Sequence, residues 1–200
     1  WYNKTVDNNV SVYDAFANFD MRGADNIESA TRTGAAWLLS SNKTSTIPSL
    51  PYINKYYLAD LECNKIGVGG ISTEHSVISS NTAVGIDEEK LLKKFLTDTY
   101  DYWNFIDNVI PNCKNEILNH NGKLLIRPDS GDMIEISINT IQKLWEIFGG
   151  TINSKGYKVL NPKIGLIYGD GCTVNQLKKI WSKLEELGFA ANNIVFGIGA

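Results

Sequence analysis

The stretch KLLIRPDSGDM, Lys123 to Met133, decides the architecture. A short apolar run suited to a buried strand stops at an arginine, a proline, two carboxylates, a hydroxyl and a glycine. Beyond it, Ile134, Ile138, Ile141, Trp145 and Phe148 recur at helical spacing until Gly149 and Gly150 stop the pattern. Further along, TINSKGYKVLNP reads as a polar excursion, and KIGLIY as a second strand ended by Gly169-Asp170-Gly171. Thr173 is placed to cap a helix carrying Val174, Leu177, Ile180, Trp181, Leu184 and Leu187, with Gly188 as its stop. NIVFG makes a third strand. Strand–helix–strand–helix–strand with short connections predicts an α/β fold with a parallel sheet or a barrel. Ligands of such folds sit at the carboxyl ends of the strands. Loops 127–132, 169–171 and 197–200 are expected there.

Toward the amino end the pattern is looser. Asp25 with Glu28 predicts a capping box opening a helix through about Leu39. Pro48 to Tyr57 suits another helix, and KIGVGGI a strand with STEHS at its end. Helices are expected over Asp87 to Phe95 and over Asp101 to Leu118, the second interrupted at Pro111.

The composition is 43% hydrophobic and 20% charged over 200 residues, enough for a substantial core. A net charge of −3 gives no general attraction to nucleic acid or to an anionic membrane, and no apolar run reaches membrane-spanning length. Cys63, Cys113 and Cys172 are odd in number and widely spaced, which fits a reducing cytoplasmic compartment better than a disulfide or metal framework. The chain starts at Trp1 and stops within VFGIGA, and is expected to be a piece of a longer protein.

Several strand ends carry residues suited to an anionic ligand. Arg127 can grip a phosphate through two charged hydrogen bonds, beside the stiff Pro128. Asp129 can accept from a sugar hydroxyl or an amide, or stabilise developing positive charge. Ser130 and Gly131 open the next helix, whose first N–H groups can face an anion. An Arg–Asp pair in an ordinary turn is an equal alternative at this level. Asp170, between two glycines, suits ribose hydroxyls or is simply part of a tight turn. His75, with Glu74 beside it, can bind phosphate or accept a phosphoryl group, though a lone histidine is more often structural. His120 lies in a polar loop and reads as solvated. Phe19 can stack on a flat ring and Arg22 can hold phosphate, against the plainer reading of a core ring and a surface charge. No zinc pattern, nucleophile elbow or Walker A loop is present in the sequence.

The segments FDMRG, TEHSVI, LLIRPDSGD, NSKGYKVL, IYGDG and NNIVFGIG stand in an order that resembles the nicotinate/nicotinamide phosphoribosyltransferase family, its nicotinamide-using members above all. The resemblance runs over nearly all 200 residues and covers the middle of a family member, so 1–200 is expected as one part of a single barrel domain. It implies an irregular type II phosphoribosyltransferase α/β barrel, cytoplasmic and homodimeric. The implied reaction joins nicotinamide to phosphoribosyl pyrophosphate, giving nicotinamide mononucleotide and pyrophosphate in NAD salvage. Mg²⁺ accompanies the pyrophosphate, and ATP is a coupled co-substrate through a phosphorylated histidine. On the same grounds Phe19 would stack on the pyridine ring and Arg22 would contact the diphosphate or the ring. His75 would accept phosphate, and Asp98 would lie near the pyrophosphate and its metal. Arg127, with Pro128 beside it, would bind phosphate and nicotinamide. Asp129 would sit by the amide and the ribose carbon under attack. Gly169 and Asp170 would hold ribose and phosphate, and Gly199 and Ala200 would lie in the phosphate-binding turn.

Three departures qualify the match. Ser45 stands where the nicotinamide enzymes have an aspartate that reads the carboxamide, a pattern similar to the nicotinate enzymes. Ala200 replaces a glycine, and the interval from His75 to Asp98 is short. A nicotinate phosphoribosyltransferase and a truncated, inactive remnant are therefore the alternatives, and the 200 residues alone are expected to turn over weakly or not at all.

Overall fold

The computed structural model describes residues 1–69, 80, 83–84, 101–128, 131–169 and 171–199. They fall into two compact units. The first comprises Trp1–Asn8, Ile71–Tyr168 and Thr173–Ile194, and the second Asn9–Gly70, Gly169–Cys172 and Val195–Ala200.

The elements in chain order begin with α1 (Tyr2–Thr5), β1 (Phe16–Asn18), α2 (Ile27–Leu38) and α3 (Ser49–Tyr57). The helical run α4 (Tyr102–Asn104), α5 (Ile110–Asn112) and α6 (Lys114–Asn119) follows, then β2 (Leu124–Ile126) and α7 (Met133–Phe148). The series closes with β3 (Gly150–Ile152), β4 (Lys158–Leu160), β5 (Ile164–Tyr168), α8 (Val174–Glu186) and β6 (Ile194–Ile198).

The first unit is an apolar α/β assembly. β2 pairs in parallel with β5, Leu124 opposite Ile164 and Ile126 opposite Leu166. Helix α7 lies against β5 and α8. Ile126, Ile141, Leu144, Ile164, Leu166 and Ile180 are buried to within 1% of full burial. The expected seam of α7 is present in Ile138, Ile141 and Phe148, but its buried face is wider and includes Met133, Ile136, Ser137, Thr140 and Leu144. Gly149 ends α7 at φ +65°, a left-handed conformation that a residue without Cβ adopts freely. Thr173 and Gln176 form the capping box of α8: each side chain bonds the other's backbone N–H. Leu177, Ile180, Trp181 and Leu184 of α8 are buried as expected, whereas Val174 is exposed in the first turn.

Two expectations change here. The polar excursion is a hairpin: β3 and β4 are antiparallel, Thr151 opposite Val159. Asn153 nucleates its turn, its Oδ1 accepting the N–H groups of Lys155 and Tyr157, and Gly156 takes φ +84°. Exposed β3 lacks the apolar alternation that marks a strand, so pairing alone reveals it. The run before β2 is interrupted earlier than Pro111: residues Phe105–Val109 form a π-helical turn. Proline has no N–H to give to the carbonyl four residues back, and a wider turn accommodates that loss.

The second unit is built around the parallel pair β1–β6, Phe16 opposite Phe196 and Asn18 opposite Ile198. Helix α2 lies against α3 through a small-residue face: Ala30, Gly34, Ala35 and Leu38 are buried. The cap of α2 is Asn26, whose Oδ1 accepts the N–H of Ser29, and not Asp25. Glu28 instead pairs with Arg32 at 2.6 Å, one turn along. Val68 forms a parallel bridge with Lys43, which carries part of the expected KIGVGGI strand. Over the described part of that stretch the expected strand is absent apart from Val68: Lys65 at φ +49° and Gly67 at φ +79° turn the chain out of extended conformation. Gly70, Ile71, STEHS and the expected helix from Asp87 to Phe95 lie outside the described residues. Among the described residues no helix is long and apolar enough to cross a membrane.

Candidate active site

In the second unit, the carboxyl end of β1 gathers the residues with a chemical reading. Phe19 follows β1 directly and donates its N–H to the Ile198 carbonyl at 2.8 Å, extending the ladder with β6. Its ring is half-buried and lies against Gly197, where a Cβ would overlap the ring atoms. The same Cβ would stand 3.0 Å from the Cα of Gly169. Gly199 takes φ +91°, and a Cβ there would collide with the Asp20 carboxylate. Glycine is therefore required at 197 by close approach and at 199 by both space and backbone conformation. Together they leave an aromatic face over bare strand-end backbone.

Ser45 sits on the adjoining loop. Its N–H donates to the Asn18 carbonyl at 2.9 Å, and its side chain is exposed between the buried Thr44 and Thr46. Arg22 is exposed, three residues beyond Phe19. Lys43, at the start of this loop, has its ammonium pKa lowered by burial, partly offset by the Asp14 carboxylate. Cys172, half-buried after the Gly169–Gly171 turn, has its thiol pushed up to about 11 by burial, which keeps it protonated and unreactive at neutral pH.

In the first unit, Arg127 follows β2 and is half-buried, and Pro128 behind it is buried. The helix start after this turn is occupied by the chain itself. Asp132 caps α7, its Oδ1 accepting the N–H groups of Ile134 at 3.0 Å and Glu135 at 2.9 Å. Those two donors of the helix start, expected to be open to an anion, are taken by the chain's own carboxylate. His120 is exposed, as expected.

The structure thus brings Phe19, Gly169 and Gly199 together, with Ser45 tied to the same strand end. His75, Asp98, Asp129, Asp170 and Ala200 lie outside the described residues. Among the described residues no group of three His, Cys, Asp or Glu side chains stands close enough to hold a metal ion. Sequence reasoning missed Asn18, Thr44 and Thr46, and counted Gly197 in the loop 197–200 where it lies within β6. Gly197 left a signal, a glycine inside an apolar strand, which marks close backbone approach. The Asn18–threonine contacts span 26 and 28 residues and left none.

The parallel strand pairs with helices packed beside them define an α/β protein. The model of the nicotinate phosphoribosyltransferase (NAPRTase) family matches residues 15–200, and the chain belongs to that family. It is 33% identical to the nicotinamide phosphoribosyltransferase of Acinetobacter baylyi, over 92% of this chain and 41% of that protein. It is 32% identical to the enzyme of the same name from Mycoplasma pneumoniae, over 99% of this chain and 46% of the relative. With the Mycoplasma genitalium enzyme the identity is 34%, over 92% of this chain and 42% of the relative. The chain therefore spans less than half the length of these curated relatives.

Proposed function

We propose that the protein containing this chain transfers the 5-phosphoribosyl group of phosphoribosyl pyrophosphate to nicotinamide, giving nicotinamide mononucleotide and pyrophosphate. The observation that carries the proposal is the Phe19 ring laid over Gly197, with the exposed Ser45 on the loop bonded to Asn18. A pyridine ring stacks on such a face while its substituent meets a polar side chain. The names of the relatives support the same reading.

The reaction forms one bond and breaks one. The pyridine nitrogen donates its lone pair to the anomeric carbon, and the carbon–oxygen bond to pyrophosphate breaks with its electron pair. Positive charge builds on the sugar in between. Asp129 is assigned to stabilise that charge, and Arg127, with Arg22, to hold phosphate oxygens. His75 and Asp98 are assigned to the diphosphate, and His75 to accepting phosphate from ATP as a coupled co-substrate. Gly169, Asp170, Gly199 and Ala200 are assigned to ribose and phosphate. Mg²⁺ enters with the pyrophosphate as part of the substrate. The chain's own contribution is chiefly to align the partners and neutralise charge. The whole protein is proposed to close an irregular α/β barrel and to act as a homodimer in the cytoplasm, serving NAD biosynthesis.

A second reading, transfer to nicotinate, is favoured by Ser45. An aspartate at this position would repel a carboxylate and accept from a carboxamide, whereas a serine tolerates either base. Competition of the two bases for phosphoribosyl pyrophosphate in the complete protein tests both readings. Preferential formation of nicotinamide mononucleotide is expected, and Ser45→Asp is expected to raise that preference. Folded complete protein that forms no mononucleotide from either base would sink the enzymatic reading and leave the inactive remnant. The 200-residue chain alone is expected to turn over little, since it spans less than half of each relative.

A further inference from the structure

We propose that Asn18 is the positioning residue of the base pocket, a buried hub that fixes the loop presenting Ser45. The inference rests on the phosphoribosyl-transfer reading above and adds a residue to its specificity machinery. Asn18 is the last residue of β1 and only 2% exposed. Its Oδ1 accepts two hydroxyl hydrogen bonds, from Thr44 at 3.1 Å and Thr46 at 2.7 Å. Its backbone holds the loop as well: the N–H donates to the Lys43 carbonyl at 3.2 Å, and the carbonyl accepts from Ser45 at 2.9 Å. One residue thus bonds four consecutive loop positions, 43 to 46.

The loop is braced from its other side. The Trp37 indole N–H donates to the Lys43 carbonyl at 2.9 Å, and the Thr46 N–H donates to the Thr44 hydroxyl at 3.0 Å. Gly34 of α2 lets the helix approach so closely that a Cβ there would lie 3.0 Å from the Thr46 methyl. Thr46 is wedged between Asn18 and Gly34 and is fully buried. Of the three side chains in Thr44-Ser45-Thr46, the middle one alone faces outward. Such alternation in a braced loop presents one hydroxyl in a fixed place, and a site is accurate when its supporting contacts are fixed. Phe19 is the next residue after Asn18, so the ring shelf and the Ser45 loop share a single anchor. A shift at Asn18 moves the stacking face and the polar group relative to each other, which a base bound between them senses.

The test is steady-state kinetics on the complete protein with nicotinamide and nicotinate as alternative substrates. Thr44→Val and Thr46→Val remove each hydroxyl with little change of shape, and Asn18→Ala removes the shared acceptor. Each valine variant is expected to raise KM for the preferred base about tenfold, with kcat changed far less and the ratio of the two bases moved toward unity. Asn18→Asp keeps an oxygen in the accepting position and is expected to recover the KM lost in Asn18→Ala. Folded valine variants with unchanged KM and unchanged base ratio would overturn the proposal while leaving phosphoribosyl transfer intact. A wild-type protein that forms neither mononucleotide would overturn the enzymatic reading, and this inference with it. Should Asn18→Ala unfold, the two valine variants decide the matter.

Discussion

The two parallel strand pairs of this chain are held by different physics. Around β2 and β5 the neighbours are mostly aliphatic, with Ile126, Ile141, Leu144, Ile164, Leu166 and Ile180 almost fully enclosed and only Ser137 and Thr140 of α7 as buried polar side chains on the helix against them. Around β1 and β6, the buried side chains include Asn18, Thr44, Thr46 and Ser49, and close approach depends on Gly34 and Gly197. The first arrangement tolerates small adjustments, because hydrophobic contact is non-directional. The second is directional: each buried hydroxyl and amide needs a partner in one place. The difference explains where the candidate specificity residues sit. A stable frame follows from the aliphatic region, and a fixed loop geometry from the polar one.

That comparison can be broken most sharply in the aliphatic region. Leu144→Ala opens a cavity beneath fully buried neighbours and is expected to cost about 2–5 kcal/mol, read as a fall in the urea midpoint. An unchanged midpoint would mean that this core is not the stabilising element. The glycine pair sharpens the contrast next. Gly197→Ala drives a Cβ into the Phe19 ring and is expected to cost about 1–3 kcal/mol and to weaken base binding, measured by calorimetry. Gly165→Ala, the counterpart on β5, meets chiefly the flexible end of Lys123, with a Cβ 2.7 Å from its Cε, and is expected to cost less. Equal effects at 165 and 197 would remove the distinction between the two regions.

Smaller effects follow at the polar features of the first unit. Asp132→Ala frees the N–H groups of Ile134 and Glu135 and is expected to lower stability by about 1 kcal/mol. Asp132→Asn is expected to recover most of that loss in the same unfolding assay. Tyr102 gives a pH signature. Thr140 donates its hydroxyl hydrogen to the Ile136 carbonyl at 2.7 Å, so Tyr102 is the donor in its 2.6 Å bond to Thr140. Burial holds the Tyr102 phenol well above its ordinary pKa of 10.0. The unfolded chain gives up this proton near pH 10 and the folded chain retains it, so the stabilisation is complete below pH 10 and is lost as pH rises beyond it. Tyr102→Phe is expected to flatten the fall of the unfolding midpoint above pH 10. An identical slope in the variant would place the alkaline sensitivity elsewhere.

Legibility in the sequence followed the same division. The strands β2, β5 and β6 and the helices α7 and α8 were visible because their apolar residues repeat at the period of the element and glycine marks their ends. The hairpin of β3 and β4 was not, since its first strand is exposed and its pairing carries no apolar signature. The cap of α2 was misplaced by one residue: Asp25 and Asn26 are both competent acceptors, and only the local backbone decides which side chain reaches Ser29. At the helix start after RPDSG, the competition between Asp132 and a ligand anion is one of geometry, invisible in the letters.

The sequence by itself determined the alternation of strands and helices, the charged and glycine-rich strand ends, and the family, because these depend on residue type and short-range order. It also marked Phe19, Arg127 and Ser45 as residues to watch. Only the tertiary structure decided that Phe19 rests on Gly197, that Asp132 occupies the start of α7, and that Asn18 gathers Thr44 and Thr46 around an outward-facing Ser45. Those contacts join positions far apart in the chain, and their strength comes from burial and direction, which exist once the backbone has folded.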